Sequence, residues 1–206
     1  FVANDMPDPS DRFGFQKALE STLIPLCTAT RGRALVLFTA YSQLKQTAQA
    51  ITAPLADAGI TVYAQDEGSS RRQLLEHFKT ADQAVLLGTK SYWEGVDVPG
   101  EGLSLLVIVK LPFDVPTDPI IAARSETYEN AFSEYSVPEA VLRFRQGFGR
   151  LIRNKTDRGV VAVLDKRIFT KSYGRTFLDS LPPCTRRQGP RVNLPETARR
   201  WIDEKR

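Results

Sequence analysis

The chain has 206 residues, of which 42% are hydrophobic and 25% charged, a composition typical of a globular domain large enough to bury a core. Its longest mainly apolar run, residues 103–109, is far shorter than the roughly 20 residues of a membrane span, and its two cysteines exclude a disulfide framework. The net charge of +4 is uneven, because residues 141–191 hold 13 basic and three acidic side chains. We therefore expect a cytoplasmic protein, without membrane contact, whose basic surface suits phosphates. A solvated basic face kept for solubility is the alternative.

Helices and strands are predicted to alternate along the chain. Continuous apolar runs such as residues 34–39 are typical of parallel strands that are covered on both faces. Asp11 is placed to cap a first helix, and Pro54 predicts a break or kink inside a later one. In chain order we predict a helix at 12–26, a strand at 34–39, a helix at 42–58, a strand at 60–64, a helix at 70–80, strands at 84–87 and 103–109, helices at 119–134 and 138–152, a strand at 160–164, and helices at 170–181 and 196–204.

This alternation predicts an α/β fold with a mostly parallel sheet of about five or six strands and helices on both faces. Ligands of such sheets bind at the carboxyl ends of the strands, so the residues after each strand are the first candidates for a site. The sequence starts at Phe1 without an initiator methionine, and we therefore expect it to be part of a longer polypeptide.

The segment from Gln146 to Arg153 carries the strongest signal. At 100° per residue, Gln146, Arg150 and Arg153 fall within about 60° on one helix face. The apolar residues of the same helix fall on the opposite side, toward the sheet: Val141, Phe144, Phe148 and Leu151. The planar guanidinium of arginine suits phosphate oxygens. Gly147 and Gly149 each cost a helix interior roughly 1 kcal/mol relative to alanine, so we expect a close approach to the backbone there. A generic amphipathic helix explains the periodicity but not the glycines.

A second group of polar residues directly follows the strand at 84–87. Thr89 offers a hydroxyl and Lys90 a charge, while Tyr92 and Trp93 offer flat faces. A few residues on, Asp97 offers an acceptor suited to a ribose hydroxyl. The alternative is a turn-rich loop in which Trp93 only covers the core.

A weaker signal is Thr39-Ala-Tyr-Ser42 at the end of the first predicted strand. Small hydroxyl residues before a helix N-terminus can hold a phosphate, but they are more commonly plain helix caps. The segment Gly88-Thr-Lys-Ser91 resembles the end of a P-loop but lacks the first glycine of that motif. With one histidine, His77, and two distant cysteines, a nucleophilic triad or a metal site has no partners, so we predict no metal site in this chain.

Three segments, in this order, resemble helicase motifs IV, V and VI: Phe38-Thr-Ala-Tyr-Ser42, Tyr92-Trp-Glu-Gly-Val-Asp-Val-Pro-Gly100 and Gln146-Gly-Phe-Gly-Arg-Leu-Ile-Arg153. They are similar to the DinG/XPD-like branch of superfamily 2 DNA helicases, as are Leu111-Pro-Phe113 and Leu164-Asp-Lys-Arg167. The resemblance covers roughly residues 31–183 and implies a RecA-like fold. We accordingly divide the chain into an entry segment with a helix (1–30), a RecA-like helicase C-terminal domain (31–190) and a helical tail of the same domain (191–206).

In helicases of this branch, ATP lies between two RecA-like domains, and the second domain supplies arginine fingers. The resemblance assigns that role to Arg150 and Arg153, and it assigns the coupling of nucleotide to DNA to Gln146. Arginine fingers stabilise the charge on the transferred phosphoryl group and accelerate hydrolysis roughly a thousandfold or more. The positions expected near the nucleotide are Glu94, Gly95 and Asp97.

The resemblance further implies 5′-to-3′ movement on single-stranded DNA, with ATP and Mg²⁺ as cofactors. The chain holds neither a P-loop lysine nor an Asp-Glu-Ala-His box for Mg²⁺, so we expect both in an N-terminal helicase domain of the same polypeptide. An iron–sulfur cluster, if present, would lie in that missing part. We expect the chain alone not to hydrolyse ATP. The positions expected to face DNA are Thr39, Tyr41, Ser42, Thr89 and Lys90.

Two other classes of protein remain compatible with the residues. A self-standing nucleotide-binding module is one, although no glycine-rich loop follows the first predicted strand. A non-catalytic nucleic-acid-binding α/β adaptor that uses the basic residues 141–191 is the other. Such an adaptor would bind nucleic acid in a salt-dependent manner without any upstream domain.

Overall fold

The computed structural model describes residues 1–66, 70–93, 102–151 and 158–204, and these residues form one parallel sheet with helices around it. The strands of the described residues are β1 (Val2–Ala3), β2 (Ala34–Leu37), β3 (Thr61–Ala64), β4 (Ala84–Gly88), β5 (Leu105–Ile108), β6 (Val160–Val163) and β7 (Gln188–Gly189). They are arranged in the order β3-β4-β2-β5-β6-β1-β7, and every neighbouring pair is parallel.

β2 lies between β4 and β5 in the interior of the sheet, and these neighbours end level with it. Leu37, the last residue of β2, is paired with Gly88 of β4 and with Ile108 of β5, and Ile108 is paired with Val163 of β6. The residues that follow these four strands therefore share one edge of the sheet. We call this the carboxyl edge, formed by residues 38–42, 89–90, 109–114 and 164–167.

The helices of the described residues are α1 (Arg12–Ala29), α2 (Tyr41–Asp57), α3 (Arg71–Thr80), α4 (Lys90–Trp93), α5 (Pro119–Ser125), α6 (Val137–Phe148), α7 (Arg167–Thr170), α8 (Gly174–Asp179) and α9 (Leu194–Asp203). A π-helical turn, Phe132–Ser136, runs directly into α6. Within the described ranges, no helix combines the length and the apolar character that crossing a bilayer requires.

Both faces of β2 are buried because its alternate residues enter two different cores. Val36 belongs to a cluster with residues of α1, α2 and α9, among them Phe15 of α1. Leu35 and Leu37 belong to a second cluster with residues of α3, α4, α6 and α8, among them Phe144 of α6. Helices therefore cover both faces of the sheet, and this confirms the predicted architecture.

All five predicted strands are present, but the sheet is larger than the five or six strands predicted. The additional strands β1 and β7 have two residues each, which is too short to give a periodic pattern in sequence. They extend the sheet beyond β6, where Val2 is paired with Val163 and with Gln188.

Several helix predictions were wrong in extent. Pro54 causes no break, since α2 runs without interruption from Tyr41 to Asp57. The helix predicted at 119–134 ends at Ser125, and a new helical segment starts where Asn130 Oδ1 accepts a hydrogen bond from Ser133 N at 3.1 Å. α6 ends at Phe148, four residues before the predicted end. The helix predicted at 170–181 is shortened to α8, Gly174–Asp179, and a separate short helix, α7, ends at Thr170.

Candidate functional site

α2 begins at the carboxyl edge without a side-chain cap. Its N-cap residue, Ala40, is extended and has no side chain that could accept a hydrogen bond from the first turn of the helix. Thr39 and Ser42 are exposed, and Tyr41 is half-buried. The capping alternative for these hydroxyls is therefore wrong. The first N–H groups of α2 have no partner within the helix, a condition under which helix N-termini bind phosphate.

Thr89 is fixed at the end of β4 by a residue that the sequence analysis missed. Its backbone N–H and its hydroxyl both donate to Oε1 of Gln65, at 2.9 and 2.8 Å. Gln65 itself follows β3, and its N–H donates to the carbonyl of Leu87 at 3.0 Å, so the ends of two neighbouring strands are joined. The next residue, Lys90, extends into solvent with 72% of its side chain exposed. The position of Gln65 directly after a strand was the signal that could have found it.

Tyr92 and Trp93 do not present flat faces to a ligand. Tyr92 is fully buried, Trp93 is 2% exposed, and both belong to the second core cluster. The expectation that these rings face a ligand was wrong, and the alternative in which Trp93 covers the core holds. The indole Nε1 of Trp93 donates to the carbonyl of Phe38 at 3.2 Å, which ties α4 to the end of β2 and to the adjoining Thr39.

The C-terminal end of α6 packs onto Trp93. A Cβ added to Gly147 would lie 2.9 Å from Cε3 of Trp93 and 3.4 Å from Cδ1 of Leu37. The predicted close approach at this glycine therefore exists, and the approaching group is a core side chain. At Gly149 a Cβ would meet only carbonyl oxygens, at 3.5 Å. Because Leu37 is the last residue of β2, the contact at Gly147 places the end of α6 beside the carboxyl edge.

Gln146 and Arg150 lie on either side of this contact, each half-buried. Oε1 of Gln146 and Nε of Arg150 are buried without a hydrogen-bond partner. Arg150 stands in a turn after the helix, where its N–H donates to the carbonyl of Gly147 at 3.0 Å, so it does not share a continuous helix face with Gln146 as predicted. The apolar residues predicted to pack on the sheet are buried or half-buried: Val141, Phe144, Phe148 and Leu151.

Four predicted site residues fall outside the residues that the structure describes: Glu94, Gly95, Asp97 and Arg153. The predicted residues that are described come together along one edge, since the contacts of Trp93 join the ends of β2 and α6. Thr39, Tyr41 and Ser42 follow β2, and Thr89 and Lys90 follow the adjacent strand β4.

Asp114, after β5, carries two contacts that the sequence analysis missed. Its Oδ2 lies 2.6 Å from Nη2 of Arg143 on α6, and its Oδ1 lies 3.5 Å from Nζ of Lys90. Partial burial alone raises the pKa of Asp114, but the hydrogen bond from Arg143 and the charges of Arg143 and Lys90 outweigh it, so the pKa lies below its ordinary value. No local pattern indicates these contacts, because Arg143 is 29 positions further along the chain.

Asp165, after β6, holds the loop that follows β5. It is fully buried, and its Oδ2 accepts a hydrogen bond from Leu111 N at 2.8 Å. Arg167 donates to it through Nε and Nη2, at 3.0 and 2.6 Å. Nearby, Nζ of Lys110 lies 4.8 Å from the ring centroid of Phe15, and burial, with the charge of Arg167, lowers the pKa of that lysine. The ion pairs of Asp114 and Asp165 thus stabilise the loops of the carboxyl edge, close to the exposed cation Lys90.

The described part of this edge offers N–H groups, hydroxyls and cations, which suit phosphate oxygens. Among the described residues, no group of three or more His, Cys, Asp or Glu side chains is placed to hold a metal ion. The donors and cations of this edge therefore suit the binding of polyphosphate or nucleic acid.

Comparison with known proteins agrees with this geometry. The helicase C-terminal domain family matches residues 23–184. The 3′-5′ exonuclease DinG of Bacillus subtilis is 48% identical over 153 residues, which cover 72% of this chain and 16% of that protein. The ATP-dependent DNA helicase YoaA of Escherichia coli is 41% identical over 189 residues, 90% of this chain and 29% of that protein. A solved XPD helicase superposes with a TM-score of 0.69 at 24% identity, over 91% of this chain and 34% of that one.

The XPD structure supports the RecA-like fold. The chain spans 16% and 29% of the lengths of the Bacillus and Escherichia relatives, so it corresponds to one part of each. The family match includes the three segments that resemble motifs IV, V and VI, and the resemblance to the DinG/XPD-like branch is confirmed. The chain belongs to the helicase C-terminal domain family.

Proposed function

We propose that this chain is the second motor domain of an ATP-dependent DNA helicase and completes an ATP site whose other half lies on a first RecA-like domain. One observation carries the proposal: α6 packs through Gly147 onto Trp93, and Trp93 is bonded to the end of β2. This contact joins the end of α6, which carries residues proposed to bind nucleotide, to the end of β2, which leads into residues proposed to bind DNA. We propose that residues 31–190 form the RecA-like motor domain, that residues 1–30 are its entry segment, and that residues 191–206 are a helical tail of the same domain.

At the nucleotide, Arg150 and Arg153 act as arginine fingers, and Gln146 links the nucleotide to DNA. The buried, unpartnered Nε of Arg150 and Oε1 of Gln146 support this assignment, because buried polar atoms normally have partners. Glu94, Gly95 and Asp97 are proposed to lie close to the nucleotide. Among the described residues no group of three or more His, Cys, Asp or Glu side chains could hold a metal ion, and we assign Mg²⁺ to the first domain.

At the DNA, the uncapped start of α2 and the exposed Lys90 bind backbone phosphates of a single strand. The N–H groups of α2, with the hydroxyls of Thr39 and Ser42, supply donors, and Tyr41 stands beside them. The Thr89 hydroxyl donates to Oε1 of Gln65, and we propose that it turns from Gln65 to a phosphate when the strand binds.

Movement follows from closing and opening of the cleft between the two motor domains. Binding of ATP draws this domain against its partner, which brings Arg150 and Arg153 to the triphosphate. Hydrolysis releases that contact and the cleft opens. The DNA-binding residues after β2 and β4 therefore move along the strand with each cycle. The direction is proposed to be 5′ to 3′.

The test uses a polypeptide that joins this chain to its first RecA-like domain. Arg150→Ala and Arg153→Ala are each expected to lower ATP turnover by roughly a thousandfold and to change single-stranded DNA affinity by less than about twofold. Arg175→Ala is the control, because that guanidinium is 88% exposed and pairs with Asp179. The chain alone should not hydrolyse ATP. An equal loss of DNA affinity would assign the arginines to DNA, and steady turnover by the chain alone would refute the proposal.

A further inference from the structure

The carboxylate of Asp114 lies between two cations that belong to different parts of the proposed site. Arg143, on α6, is 2.6 Å away and has 15% of its side chain exposed, and Asp114 itself is 16% exposed. Lys90, on α4, is 3.5 Å away and 72% exposed. The pair with Arg143 is therefore short and sheltered, whereas the pair with Lys90 is long and open to solvent. Solvent screening makes the second pair the weaker one.

The two cations stand on helices that also touch at a second point. Lys90 is the first residue of α4, and Trp93, the last, packs against Gly147 of α6. Arg143 is on α6 one turn before Gln146 and Gly147. A change in the charges around Asp114 therefore acts on the same helix that presents Gln146 at the carboxyl edge.

Resting on the function proposed above, we propose that Asp114 couples the binding of single-stranded DNA at Lys90 to the position of α6. A DNA phosphate competes with Asp114 for the ammonium group of Lys90. When Lys90 turns to the phosphate, its ion pair with Asp114 is lost. The carboxylate of Asp114 then pairs with Arg143 alone, and that ion pair becomes stronger. α6 is then held more firmly against the loop after β5, with Gln146 and Arg150 placed for nucleotide. Asp114 is a positioning residue in this scheme, and it touches neither DNA nor ATP.

If Asp114 has this role, the substitution Asp114→Asn should raise the affinity for single-stranded DNA and lower the stimulation of ATP hydrolysis by DNA. Asp114→Asn removes a negative charge that competes with the phosphate, so single-stranded DNA affinity should rise by roughly two- to fivefold, as expected for one exposed ion pair. The same substitution removes the connection to Arg143, so the stimulation of ATP hydrolysis by DNA should fall by about fivefold or more. A carboxylate that only supported the fold would, on removal, weaken both.

The experiment measures DNA affinity and DNA-stimulated ATP hydrolysis in the polypeptide that contains both motor domains. Glu139→Gln is the matched control, because Glu139 also pairs with Arg143, at 3.8 Å, whereas the ion pair of Lys90 within the described ranges is with Asp114. It should leave both quantities within about twofold of wild type. In a Lys90→Met background, Asp114→Asn should give no further gain in affinity, since the competing pair is already absent.

The outcomes separate the two proposals. If single-stranded DNA does not change the rate of ATP hydrolysis by the wild-type enzyme, the proposed function is refuted, and the coupling is refuted with it. If wild type is stimulated, three results overturn the coupling alone: a parallel loss of affinity and stimulation in Asp114→Asn, no change in either, or a gain in affinity that persists without Lys90. Higher affinity with lost stimulation, both dependent on Lys90, supports it.

Discussion

Trp93 lies against the backbone of Gly147 so closely that position 147 has no room for a side chain. A Cβ there would come within 2.9 Å of Cε3 and 3.0 Å of Cζ3 of the indole, which is 2% exposed and bonded to the carbonyl of Phe38. The indole cannot move without losing that hydrogen bond or disturbing the core. This contact fixes the end of α6 relative to β2.

Gly147→Ala is therefore expected to destabilise the fold, although alanine is the better helix former. Overpacking costs about 1–3 kcal/mol, and the gain in helix propensity offsets up to about 1 kcal/mol of this. We expect the free energy of unfolding, measured by urea denaturation, to fall by about 1 kcal/mol.

Gly149→Ala is the matched control, because its Cβ would meet only two carbonyl oxygens at 3.5 Å and its φ is −64°. It should change stability by less than about 0.5 kcal/mol. Equal effects of the two substitutions would contradict the contact with Trp93.

Asp165→Asn is expected to be among the most destabilising single changes at the carboxyl edge. The buried carboxylate accepts hydrogen bonds from Leu111 N and from Arg167, and an amide turns one donor group toward these donors. Breaking a buried pair costs about 3–5 kcal/mol; because 24% of the Arg167 side chain is exposed, we expect about 2–3 kcal/mol by urea denaturation.

The exposed pair of Asp179 and Arg175 provides the comparison for Asp165. Their side chains are 55% and 88% exposed at a separation of 3.2 Å. Asp179→Asn should cost less than about 1 kcal/mol. If Asp165→Asn lowered the free energy of unfolding by as little as Asp179→Asn, burial would not strengthen the pair of Asp165 and Arg167.

The lowered pKa of Asp114 predicts an acid-dependent contribution to stability. The folded protein binds a proton at this carboxyl less readily than the unfolded chain, whose pKa is near the ordinary 3.8. The stabilisation is therefore fully present above that value and is lost as the pH falls through the lower folded pKa. The difference in unfolding free energy between wild type and Asp114→Asn should be constant near neutral pH and shrink below about pH 4. A difference that grew with acid would contradict the assigned ion pair.

The central part of the fold could be predicted because its signal is local. The run at β2 is apolar at every position since both faces of that strand are buried, and a continuous run is what such a strand requires. β1 and β7 could not be predicted, because two residues held by pairing with β6 and with each other carry no pattern of their own.

The site was predictable in its composition but not in its contacts. Gly147 predicted that another group approaches the helix backbone closely. Nothing near it in sequence identified that group as Trp93, which is 54 positions away. Asp114 and Arg143 meet only because the loop after β5 and α6 are brought together by the sheet. Such pairs depend on tertiary packing, so one sequence without the fold does not reveal them.

Ser42 offers a test in which stability and DNA binding should move in opposite directions. It is the second residue of α2, whose first turn has no acidic residue and no side-chain cap. Ser42→Asp places a negative charge near the helix N-terminus and should raise the free energy of unfolding by about 0.3–1 kcal/mol. The same charge repels a phosphate bound there, so single-stranded DNA affinity should fall by roughly threefold or more at low salt, with a smaller effect at high salt. Gln49→Glu adds the same charge about two turns further along α2, at an exposed position, and should leave DNA affinity nearly unchanged. Greater stability with unchanged DNA affinity in Ser42→Asp would place the DNA away from the start of α2.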